Sequence, residues 1–203
     1  MTRSPLKSSW PHLMASAAFT LVSAVSLPSA WSQTEDAASA SANPGAIQSQ
    51  KLSTTDQQFV QDAGTAGATE IAAGKLALTH SSDKQVRDFA QRMISDHTKL
   101  ARNLDVIAKR HGRISPPSAD SSVIGSLQNL QGADFDKAYI GKVAVDGHQK
   151  AVELFKKESE SGNDAALKAA ASKALPVTSH HYAMAQQLAK TKASSRARCT
   201  LTR

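Results

Sequence analysis

A single cysteine, Cys199, stands near the end of this 203-residue chain, so no disulfide can close within it. Any folded part must hold together by packing alone. Aromatic residues make up only 4% of the chain. A β-sandwich draws on aromatic and β-branched residues for its core, and their scarcity beside abundant alanine points instead to closely packed helices. The longest apolar run, Leu13 to Leu27, is about 15 residues, short of the roughly 20 that span a bilayer. No glycine-rich phosphate loop, GxSxG elbow or CxxC pair occurs, which removes the common signatures of nucleotide, hydrolase and thiol-redox chemistry.

That short run has a defined context. Arg3 and Lys7 precede it, and "PSAWSQ" follows it with small residues suited to cleavage after Ala30 or after Ser32. A basic segment, a short apolar segment and a small-residue site describe a secretory signal peptide over residues 1–32. The expectation is an exported protein of the periplasm or cell envelope, with no transmembrane segment in the mature chain. The formal charge is +7 with an isoelectric point near 9.6. Residues 1–32 carry two of the cations and no acid, leaving +5. Most of that charge is mixed along helices, and export removes chromosomal nucleic acid as a partner.

Residues 33–52 are rich in Ala, Ser and Gln around Pro44-Gly45 and read as a flexible linker. A helical domain is expected over 53–190. Thr55 with Gln58 suggests a capping box for a first helix over 56–80, and Ser82 with Gln85 a second box for a helix running to about residue 111. Gly112 and Pro116-Pro117 stop that helix. A short extra helix over 121–130 fills the connection. A third helix spans 134–161, and Asn163 caps a fourth over 164–190, with a kink or break at Pro176. The basic tail, 191–203, is expected to be disordered. Its Lys192, Arg196, Arg198 and Arg203 could touch an anionic envelope surface, and Cys199 could pair between molecules. The outline is an all-α, antiparallel four-helix bundle.

The inward stripes raise a question of cost. At helical spacing they read Val60, Ala63, Gly67, Glu70, Gly74, Ala77; Phe89, Met93, His97, Leu100, Leu104, Ile107; Gly141, Ala144, His148, Val152, Phe155; and Leu167, Ala171, Ala174, Thr178, His181, Ala185, Leu188. Each carries one ionisable group: Glu70, His97, His148 or His181. Counted at 1.5 Å per residue from the hairpin turns, all four lie within about two helical turns of one another. Each buried polar group left unpaired would cost about 1–3 kcal/mol. Two arrangements satisfy them. Three imidazoles and a carboxylate could bind one divalent metal ion, Zn, Fe, Mn, Ni or Cu. Alternatively, Glu70 could accept hydrogen bonds from the histidines with no metal. Asp96 and Asp146 turn away from the neighbouring histidines and are expected in the outer shell or on the surface, where His80, His111 and His180 are also placed.

Four segments, "FVQDAGTAGATEIAAGKLAL", "VRDFAQRMISDHTKLARNL", "FDKAYIGKVAVDGHQKAVELF" and "ALPVTSHHYAMAQQLA", together resemble domain-of-unknown-function family 4142 over about residues 55–190. The resemblance implies a ferritin-like fold and an exported bacterial protein. Its recurrent polar positions fall on Glu70, Asp96-His97, Gly147-His148 and His181, with Gly147 where the family usually has Asp. Di-iron bundles use Glu-x-x-His motifs. Ile94, Val145 and Thr178 occupy the corresponding positions here, which argues against ferroxidase chemistry. Two readings remain: a non-enzymatic envelope protein acting in stress tolerance or as an interaction module, and a metal-binding or metal-dependent protein with a mid-bundle Glu/His site.

Overall fold

The computed structural model describes residues 51–113 and 115–201. The expected signal peptide and most of the linker lie outside the described residues. Among those described there is no strand, and no helix is long and apolar enough to cross a membrane.

Helix α1 spans Thr54–His80 and α2 spans Lys84–Arg110. Neither begins on its expected capping box. The Ser53 hydroxyl accepts the Asp56 N–H at 3.1 Å. The Asp83 carboxylate accepts from Gln85 and Val86 at 2.9 and 3.2 Å. Asp83 directly precedes the first helical residue and carries a charged acceptor, so it outcompetes the Ser82 hydroxyl. Gly112, at φ 82°, ends α2. The link that follows crosses α1. Pro117 packs over Gly64, where a side chain would collide with it, and the Asp120 N–H donates to Thr69 Oγ1 at 2.8 Å.

Helix α3 is only Ser121–Gly125, because the chain turns before its expected end to insert Leu127 into the core. Helix α4, Gly132–Ala138, leads into a π-helical stretch, Tyr139–Val145, and then α5, Asp146–Ser161. The π stretch corrects one stripe. Its wider turn rotates the preceding residues, so Tyr139, Ile140, Val143 and Ala144 are buried while Gly141, expected inside, is exposed.

Helix α6 runs Ala165–Leu201. The Asp164 carboxylate, not Asn163, caps it, accepting from Leu167 at 2.9 Å. Pro176 does not break it. The carbonyl deprived of its donor belongs to Ser172, which is exposed to water. The helix also continues past residue 190, so residues 191–201 are helical where disorder was expected. No glycine or proline interrupts that stretch, and Lys192 Nζ is anchored 2.6 Å from both Asp83 Oδ2 and Gln85 Oε1.

The helices pack α1 on α2, α5 on α6, α2 on α6 and α1 on α5. The apolar core lies in two parts. One holds Phe89, Met93, Leu127, Phe135, Tyr139 and Val143; the other holds Phe59, Val60, Leu104, Leu167 and Ala171. Buried polar residues, Glu70, His97, His148, Thr178 and His181, belong to neither.

At one bundle end, the buried Asp56 carboxylate accepts from the backbone of Asn163 at 2.9 Å and Asp164 at 3.1 Å, joining the start of α1 to the α5–α6 turn. His111, half-buried, lies 3.3 Å from Asp164 Oδ2, and His80 Nδ1 lies 2.8 Å from the Leu130 carbonyl. Of the three histidines expected on the surface, only His180 is exposed.

Candidate metal centre

All four residues of the expected quartet converge. Glu70 comes from α1, His97 from α2, His148 from α5 and His181 from α6, each at most 5% exposed. Helical spacing brings them inward: every one stands three or four residues from a buried apolar or small neighbour, namely Ala73, Met93, Ala144 (in the π-helical stretch that leads into α5) and Ala185.

Three donor atoms form a tight triangle. His97 Nε2 lies 2.8 Å from Glu70 Oε2, His148 Nε2 lies 3.1 Å from the same oxygen, and the two nitrogens are 3.3 Å apart. Glu70 Oε2 thus faces both ring nitrogens at once, with His97 the nearer. Around a tetrahedral centre with bonds of ~2.0–2.1 Å, ligand atoms stand ~3.3 Å apart, so the triangle has the dimensions of one face of such a site. One ring nitrogen of each of His97, His148 and His181 lies within 4.8 Å of the others.

Outer contacts fix the tautomers. His148 Nδ1–H donates to the Ala144 carbonyl at 2.9 Å, which leaves Nε2 as the lone pair facing the triangle. His181 Nε2–H donates to Asp96 Oδ2 at 3.1 Å, which leaves Nδ1 buried with no partner. Asp96 therefore turns away from His97, as its place in the sequence requires, yet reaches a histidine 85 positions further on. Nothing in the sequence says which histidine an Asp on that face will meet. Asp146, by contrast, is exposed and makes no hydrogen bond or ion pair with the quartet.

The electrostatics separate the rings. Burial pushes His181 down to about 4, and the His97 charge adds to that against the pull of Asp96. Burial also lowers His148. It opposes the charge on His97 too, but there Glu70 at 2.8 Å outweighs it and holds the ring above the ordinary histidine range. Glu70 in turn is held below the usual carboxylate range: the imidazoles' charge overcomes its burial. His148 and His181 thus present free lone pairs beside the Glu70 carboxylate, and His97 would have to release its proton to join them around a metal.

Gly147 has a particular place here. A Cβ built on it would stand 3.6 Å from Glu70 Oε1. An Asp there would put a second carboxylate beside the first. Without it, Glu70 is the only acid lining the triangle, too few to bridge two iron ions.

The Domain of unknown function (DUF4142) family matches residues 41–188. A crystal structure of a DUF305 fragment from Deinococcus radiodurans is similar in fold, with a TM-score of 0.59 at 16% sequence identity, covering 69% of this chain and 99% of that one. No curated protein matches the chain.

Proposed function

We propose, for a chain that belongs to the DUF4142 family, that it binds a single divalent transition-metal ion at mid-bundle. Glu70, His97 and His148 would hold the ion, and His181 would supply a fourth donor through Nδ1. The observation that carries this is the triangle: Glu70 Oε2, His97 Nε2 and His148 Nε2 stand 2.8–3.3 Å apart, with the buried, unpartnered His181 Nδ1 as a fourth donor. A nitrogen-rich set of this kind suits Zn, Cu, Fe or Ni rather than Mg or Ca. Such an ion would supply Lewis-acid or redox chemistry to whatever reached it. The cyclic packing α1–α2–α6–α5 supports a ferritin-like four-helix arrangement. The residue 1–32 pattern supports export to the periplasm or envelope, tested by the mature N-terminus: residue 31 or 33 is expected, and a retained Met1 in the envelope fraction overturns it.

Elemental analysis of untagged protein tests the metal. About one equivalent is expected, lost in His97→Ala and His148→Ala. Absence of stoichiometric metal, with no thermal shift on adding Zn, Fe or Mn, overturns the reading and leaves the Glu70–His97 ion pair as a metal-free polar layer in a non-enzymatic bundle.

A further inference from the structure

The centre is walled by protein on one side and open on another. A cavity of about 690 Å³ reaches Glu70 and His97 but not His148 or His181. It follows α1 from Glu70 down to Phe59, about 16 Å at 1.5 Å per residue. Its walls are apolar, including Leu104, Phe155 and Ala170. Gly67 stands on them one turn below Glu70, and a Cβ added there would meet nothing within 4 Å. Glu70 is the only acid among the lining residues, and it is buried against His97 and His148. The exposed cations Arg110 and Lys173 also border the space. The volume is that of a small-molecule site.

These features select a ligand. A divalent ion held by one carboxylate and neutral imidazoles keeps a positive charge, so its outside donor should be an anion. The walls ask for hydrocarbon, and the bordering cations favour entry of an anion. We propose that the centre takes a linear, medium-chain monocarboxylate, with its carboxylate as a fifth donor on the metal and its hydrocarbon tail along the cavity. This rests on the metal reading above.

Cobalt-loaded mature protein, titrated with acetate, hexanoate and octanoate, tests it. The visible spectrum of the bound cobalt reports the carboxylate, and affinity should rise about fourfold per buried methylene. Ala170→Phe should flatten that dependence, with Gly67→Leu as the second variant if the first fails to fold. Cobalt stoichiometry is read in each sample. If cobalt does not bind wild type, the metal reading itself falls. If cobalt binds but affinity ignores chain length, the ligand inference falls and the metal reading stands. The inference is also overturned if octanoate binds metal-free protein equally well, which would place its head at Arg110 and Lys173. It falls too if both filled variants keep the full chain-length dependence.

Discussion

His181 gives its Nε2 proton to Asp96 at 3.1 Å and keeps a bare, buried Nδ1 on its other side. A carboxylate behind an imidazole fixes the ring and raises its basicity, and losing such a support typically costs 10–100-fold in metal affinity. Asp96→Asn should therefore weaken Zn binding by roughly that factor, while its far-ultraviolet circular dichroism stays helical. Unchanged affinity in a competition titration would show that His181 does not hold the ion.

His97→Leu isolates the buried ion pair. In chelator it should be less stable than wild type by about 3 kcal/mol, because Glu70 stays buried with one strong partner gone. The double variant Glu70→Leu/His97→Leu should recover most of the loss, since both charges leave together. Urea melts measure both. A neutral His97→Leu would mean that the 2.8 Å contact contributes nothing in solution.

Gly147→Asp should lower the apo melting temperature, because a second carboxylate would stand beside Glu70. Added Zn should then raise the melting temperature by more than it does in wild type. A more stable apo variant would place the new side chain away from Glu70.

Glu158 makes stability depend on pH far from the centre. Burial raises its pKa from 4.5 to about 7, and the Asp56 charge adds to the rise. The folded state thus binds this proton more tightly than the unfolded chain. That contribution is present below about 4.5 and is lost as pH rises to about 7. Wild type should lose stability relative to Glu158→Gln between pH 5 and 7.5. Asp56, whose pKa is lowered by its backbone donors against burial, acts oppositely and only as pH falls toward 3.8 and below. Parallel melts of the two proteins whose difference is flat with pH would contradict the shift.

Two glycines on α1 should respond with opposite signs. Gly67→Ala should stabilise by about 0.5–1 kcal/mol, because its Cβ enters open space and a helical glycine is replaced. Gly74→Ala should destabilise by about 1–3 kcal/mol, since its Cβ would come 2.9 Å from Ile94 Cγ1 and 3.3 Å from the Ala90 carbonyl. Thermal melts of the pair check both.

Helical periodicity alone placed Glu70, His97, His148 and His181 on inward faces within about two helical turns of one another, because 3.6-residue spacing and helix rise are local properties of a chain. What it missed was non-local or a departure from that period. Gly141 was misplaced because the Tyr139–Val145 stretch turns more widely than an α-helix. Asp96 found His181 only through the packing of α2 on α6. The continuation of α6 rests partly on Lys192 meeting Asp83, a pair 109 residues apart. The cavity is a property of four helices at once and has no linear signature.

The polar layer is divided between two hairpins, with Glu70, Asp96 and His97 on α1 and α2 and His148 and His181 on α5 and α6. Both hairpins bury several alanines, among them Ala73, Ala77, Ala90, Ala151, Ala171 and Ala174, and alanine on alanine packs almost equally well after a slide of one helical turn, about 5.4 Å. Such a slide would leave Glu70 facing methyl groups and strand His148 with no carboxylate. Mis-docked dimers of the hairpins are therefore penalised at a single level of the bundle. The layer acts as a registration mark, selecting one alignment among several that the apolar faces would accept.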